Sequence, residues 1–185
     1  MIKFLRGKKA DIFFILFFAC VFILATQLMP HLAVSFSKQS GITVKADLLL
    51  ASVISLGLLR GRKYASYFAV SFGFIFDIFI GNPYAFSPVV YFLCGYFASR
   101  AATPFSRKTP LSVLLISAML LWIKAIVSLF YLIAVSSSKT PTATLILKGV
   151  LPEYIVNILA AAVIFAFMRI LMAIFKIPLK EDILR

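Results

Sequence analysis

The sequence predicts an all-α polytopic membrane protein, a bundle of six transmembrane helices with both termini cytoplasmic, and three observations carry that prediction. Apolar residues make up 63% of the 185 and charged residues only 14%, at a mean hydropathy of +1.06. No soluble domain of this length could hide so much apolar surface. The apolar residues also come in runs near eighteen or longer, enough to cross a hydrocarbon core of about 30 Å at about 1.5 Å per helical residue. Finally, the lysines and arginines collect in alternate connections.

Helix 1 is expected over 12–29, after a basic start with Lys3, Arg6, Lys8 and Lys9. It resembles a signal peptide, but no small-residue cleavage site follows and further spans do, so it is expected to stay as a helix. Helix 2, over 47–59, is short for a full crossing; it is either completed by 41–44 or sheltered among other helices. Helix 3 is placed at 64–80, closed by the turn sequence Gly81-Asn82-Pro83. That turn leads into helix 4 at 87–102, where Ser87-Pro88 reads as an N-cap followed by a first-turn proline. Helix 5, at 111–135, lies between Pro110 and the polar stretch 136–141, and helix 6 covers 151–175 before Pro178. Neither an internal repeat nor a soluble domain is evident, so 1–185 reads as one integral membrane domain.

Cytoplasmic loops retain basic residues, which sets the orientation. Fourteen fall on one side: Lys3, Arg6, Lys8 and Lys9 in the tail, Arg60, Arg62 and Lys63 between helices 2 and 3, Arg100, Arg107 and Lys108 between helices 4 and 5, and Arg169, Lys176, Lys180 and Arg185 at the end. Four (Lys38, Lys45, Lys139, Lys148) fall on the other, with Lys124 inside the membrane. Dispersed over short connections, the net charge of +13 suits topology and contact with anionic lipid headgroups, not nucleic acid.

Chemistry finds little support. Cys20 and Cys94 lie within helices 1 and 4 with no CxxC spacing, and His31 has no second histidine, so no metal site is expected and both cysteines read as packing residues. Patterns of the HExxH, GxSxG and GxxxxGK[ST] kinds are absent. The chain is expected to be neither an enzyme nor the holder of a cofactor.

The polar residues inside the spans are the informative ones, since ionisable groups there are costly and face the bundle interior. Residues four apart share a helical face. Helix 3 carries Ala69, Gly73, Asp77 and Gly81 in such a row, helix 4 Ser87, Tyr91, Gly95 and Ser99, helix 2 Asp47, Ala51 and Ser55, and helix 6 Glu153, Asn157 and Ala161. Small residues let backbones approach when lipid supplies no hydrophobic drive, so these seams read as contact faces. In the expected topology Asp47, Asp77 and Glu153 share the outer level. Lys124 lies deeper, roughly 16 Å of helical rise from its helix end, yet its side chain can snorkel outward to Asp77 or Glu153. Asp47 and Glu153 equally suit simple capping, whereas Asp77 stands at an unfavourable helix C-terminus and calls for a specific partner or turn contact.

The run Asp47-Leu48-Leu49-Leu50, then Arg60-Gly61, Gly73-Phe74-Ile75-Phe76-Asp77, Gly81-Asn82-Pro83 and Gly95-Tyr96 resembles, in order and spacing, the rod shape-determining protein MreD family. Length, basic tail and span count extend the likeness over most of the chain. Ala46 and Ala85 depart from it, where the family often has proline and glycine. The resemblance implies a noncatalytic subunit of the bacterial elongation machinery in the cytoplasmic membrane, working with an MreC-like protein, the actin-like MreB filament, and the polymerase pair of RodA and a class B penicillin-binding protein. The seam of small residues on helices 3 and 4 would either receive the partner's membrane helix or be filled by the chain's own helices, and the basic loop from Arg60 to Lys63 would touch anionic lipid or filament, although topology alone also accounts for it. MreD is also similar in size and helix count to the substrate-binding subunits of energy-coupling-factor vitamin transporters, which supplies an alternative reading, a pocket opening outward among the same acids. The AxxxA docking contact of such subunits is missing here, as Ala19 and Ala25 stand six apart. A proton or ion pathway through Asp77, Glu153 and Lys124 is the third reading, but acids at one depth form no relay across a membrane.

Overall fold

Helix after helix is what the apolar runs form, because a chain in hydrocarbon must satisfy its own amides and carbonyls. A computed structural model describes residues 2–28, 46–80, 86–102, 110–135 and 150–177, with side chains for 10–27, 46–80, 86–102, 114–126 and 150–177. Six α-helices account for nearly all of them, and no strand occurs among the described residues. They are α1 Ile2–Ile23, continued by one wider π-helical turn Leu24–Leu28, α2 Leu48–Arg60, α3 Arg62–Ile80, α4 Ser87–Ala101, α5 Pro110–Val135 and α6 Leu151–Ile174. The expected boundaries agree to within two residues, except at the start of α1. That helix begins at Ile2, since lysine and arginine favour helix and carry it through the basic tail. His31, Gly81, Asn82, Pro83 and the stretch 136–141 lie outside the described residues.

The middle of the bundle is α2. It packs against α1, α3, α4, α5 and α6, and every residue from Leu49 to Arg60 is buried. Its sequence explains this position: a helix apolar on all sides belongs in an interior. The hydroxyls of Ser52 and Ser55 donate to the carbonyls of Leu48 and Ala51, each at 2.8 Å, so they bring no unsatisfied group with them. With 13 residues, about 20 Å of helix, α2 is too short to span alone and is sheltered by its neighbours.

A single residue joins α2 to α3. Gly61 has φ 90° and ψ −173°, a conformation open essentially to glycine alone. Its amide donates to the carbonyls of Gly57 and Leu56, at 3.1 and 3.3 Å, which closes α2 before the chain reverses.

Close backbone approach then fixes α4 against both helices. A Cβ on Gly57 would stand 2.7 Å from the Gly95 carbonyl oxygen, one on Gly95 2.8 Å from Val53 Cγ1, and one on Gly73 2.7 Å from Pro88 Cα. Against α3, α1 is held differently, by an aromatic layer in which Phe18 meets Phe68 at 4.8 Å and Phe72 at 5.3 Å between ring centres. Phe14, Phe18 and Phe68 are buried.

Many of the exposed residues are large and apolar. Ile12, Leu16, Ile78, Phe79, Met119, Val163 and Ile174 are all more than half exposed, while Asp77 and Asn157 are buried. This inversion suits a hydrocarbon surround. Among the described residues three helical stretches, Ala10–Gln27, Arg62–Ile80 and Leu151–Ile174, are long and apolar enough to cross a membrane.

Candidate functional site

Four helices meet at one residue, Asp47. Asp47 is the N-cap of α2, and its Oδ1 accepts the Leu50 amide at 3.0 Å, satisfying one of the orphan donors that open a helix. The same oxygen accepts the hydroxyl of Tyr91, a buried residue of α4, at 2.8 Å. Its other oxygen receives Lys124 Nζ of α5 at 3.0 Å. The Asp47 amide donates to Asn157 Oδ1 of α6 at 2.6 Å. Lys124 also reaches Glu153 Oε1, in the first turn of α6, at 3.2 Å.

Both readings of Asp47 and Glu153 therefore hold in part. Asp47 caps its helix and is at once an ion-pair partner; Glu153 stands in a first turn, where an acid suits the helix dipole, and shares the same ammonium. One cation between two carboxylates leaves the cluster net negative, a charge that the N-terminal ends of α2 and α6 favour.

Asp77 binds elsewhere, as its position required. Its Oδ1 accepts the Ser87 hydroxyl at 2.6 Å and its Oδ2 the Ser87 amide at 2.9 Å, and it is only 3% exposed. A carboxylate at the unfavourable end of α3 thus serves the favourable end of α4. Ser87 is not the N-cap expected of it: the cap position falls to Phe86, which provides no side-chain bond, and the carboxylate of the preceding helix supplies the capping oxygen. Phe76, one residue before Asp77, meets the Tyr91 ring at 6.3 Å, so the two polar centres border one another.

The small-residue rows behave as contact faces, turned toward each other. Ala51, Ser55, Ala69, Gly73, Gly95, Ser99, Asn157 and Ala161 are all buried. Gly73 lies against Ser87 and Pro88, which favours one of the two readings of this seam: at Gly73 it is closed by the protein's own helices. The basic loop needs correction. Arg60 is 7% exposed, its guanidinium 4.4 Å from the centre of the Tyr64 ring and 5.7 Å from that of Phe14, a cation–π arrangement that keeps it off the surface. Arg62 and Lys63 remain exposed. Cys94 is buried as expected, but Cys20 is exposed on α1, so only Cys94 is a packing residue.

Beside the ion pairs is a cavity of about 30 Å3, bounded by Leu121, Lys124, Ala125, Val150, Glu153, Tyr154 and Asn157. That is room for one or two waters. Tyr154 closes it by donating to the Ala118 carbonyl at 3.0 Å. Among the described residues no group of three or more His, Cys, Asp and Glu could hold a metal ion.

Sequence reasoning offered Asp77 or Glu153 as the partner of Lys124; the lysine bonds Glu153 and Asp47 while Asp77 bonds Ser87, so Asp47 was missed as a partner and Tyr91 as a member of the cluster. Tyr91 was visible in the row it shares with Gly95 and Ser99; a phenol in such a row needs a buried acceptor. Compared with family models, curated proteins and solved structures, the chain matches none.

Proposed function

We propose that this chain is a noncatalytic, six-span subunit of the bacterial cytoplasmic membrane that binds an MreC-like partner within the cell-elongation complex and so helps control peptidoglycan synthesis and cell shape. The observation that carries this reading is the use the fold makes of the residues behind the MreD resemblance. Asp47 ties α2 to α4, α5 and α6, Gly61 joins α2 to α3, Gly73 and Asp77 seat α3 on the start of α4, and Gly95 lets α4 approach α2. A set of short motifs that is weak piece by piece corresponds to one connected framework.

The cavity at the acids favours assembly over ligand capture. Pockets that take drug-sized molecules run from about 300 Å3 upward, ten times the space beside Lys124. With the inner seams closed, a partner's membrane helix would pack on the lipid-facing side, where Phe74 and Ile78 lie one turn apart on α3 and are exposed. RodA, a class B penicillin-binding protein and the MreB filament would join through that assembly.

Mass spectrometry of whatever co-purifies in mild detergent from the native membrane tests the reading. An MreC-like protein recovered with cell-wall synthases supports it. Recovery of an ATPase pair with a coupling subunit, or of a bound vitamin, overturns it in favour of an energy-coupling-factor subunit.

A further inference from the structure

A second space, unconnected with the acid cluster, opens between α1 and α3. It is a groove of about 320 Å3 lined by Asp11, Ile15, Lys63, Tyr64, Tyr67 and Phe68. Its height in the membrane follows from the sequence. Asp11 stands at the first turn of the apolar stretch Ala10–Gln27, and Lys63 at the start of Arg62–Ile80, so both charges mark the level at which hydrocarbon gives way to headgroups. Tyr67 is 68% exposed beside them, an amphipathic ring of the kind that settles at that level.

The two charges do not neutralise each other. Asp11 accepts a hydrogen bond from the Tyr64 hydroxyl at 3.0 Å, and among the described residues neither Asp11 nor Lys63 takes part in an ion pair. The groove thus presents a carboxylate and an ammonium separately, over an apolar floor of Ile15 and Phe68. Its complement is a molecule with an ammonium, a phosphate and a hydrocarbon tail. The opening turn of α3, whose first amides have no helical acceptor, adds partial positive charge on the phosphate side.

We propose that this groove is a binding site for a phospholipid with a primary ammonium headgroup, phosphatidylethanolamine, whose ammonium donates to Asp11 while its phosphate meets Lys63 and an acyl chain runs down Ile15 and Phe68. Phosphatidylcholine offers no N–H to the carboxylate, and phosphatidylglycerol offers no cation. The proposal rests on the chain being a membrane protein and is independent of its partners.

The test is native mass spectrometry of the full chain, reconstituted in bilayers of equal phosphatidylethanolamine, phosphatidylcholine and phosphatidylglycerol and released in mild detergent. Phosphatidylethanolamine should be retained about tenfold over phosphatidylcholine, the factor expected of one charge-assisted hydrogen bond. Asp11→Asn keeps an acceptor for Tyr64 and should erase that preference; Lys63→Gln should lower retention of all three lipids. Equal retention in the wild type, or preference for phosphatidylglycerol, overturns the proposal. A chain that fails to enter bilayers would carry no lipid of any class, which would refute the membrane reading itself.

Discussion

A lysine placed between two carboxylates decides the stability of the bundle end it occupies. Lys124 is bonded to Asp47 and Glu153, and Asp47 is already committed to Leu50 and Tyr91, so no atom of that carboxylate lacks a partner. Lys124→Met should cost about 1–2 kcal/mol by leaving two part-buried carboxylates without their countercharge, measured as thermal unfolding in detergent. Removing the charges together, as Lys124→Met with Asp47→Asn and Glu153→Gln, should recover most of the loss, because the amides keep their capping and hydrogen-bonding roles. An unchanged single variant would mean that the three charges are independently solvated. The acids illustrate what the sequence could and could not disclose. That Asp47 and Glu153 open their helices and Asp77 stands near the end of its own was legible, because the apolar runs bound those helices. Which acid met the lysine was not, since the choice depends on how α2, α5 and α6 are packed laterally, a quantity that hydropathy does not encode.

At the level of helices, glycine determines how the elements fit. Gly61 occupies a region of backbone space that costs other residues about 1–3 kcal/mol, so Gly61→Ala should lower stability by that amount while lipid contacts and surface charge stay unchanged. Circular dichroism melting of the purified variant would measure it; no loss would mean that the joint relaxes to an ordinary turn. Gly73→Leu should prevent folding outright, as its side chain would enter the backbone of Ser87 and Pro88. Size-exclusion profiles of a fluorescent fusion would show aggregation. A well-folded variant that had lost its partner would instead restore the α3 seam as a docking face. The small-residue rows were plain in the sequence, yet a seam filled by the same chain and one awaiting a foreign helix have identical composition. Arg60 was misjudged for a related reason: a basic residue next to a loop looks solvated until the rings of Tyr64 and Phe14 are found around it.

For the whole molecule, the alternation of basic connections predicts that both termini face the cytoplasm. Single cysteines placed near residue 4 and near residue 183 in a chain lacking Cys20 and Cys94 should both resist a membrane-impermeant thiol reagent in intact cells and react after permeabilisation. Labelling of either end in intact cells would break the six-span topology. The number and order of helices were readable because each apolar run is bounded by proline, glycine or charge. The enclosure of α2 was foreshadowed only by its shortness, since an all-round apolar helix looks alike in lipid and in protein.

The charged cluster also has a history within synthesis. Asp47 and Lys124 are 77 residues apart in the chain, and Glu153 follows the lysine by 29. Asp47 is therefore synthesised well before the lysine that pairs with it. Until α5 has been made that carboxylate has no ammonium to pair with, and a chain ending before residue 124 keeps the acid without its ion pair. The ion pairs are consequently among the last contacts of the bundle to form.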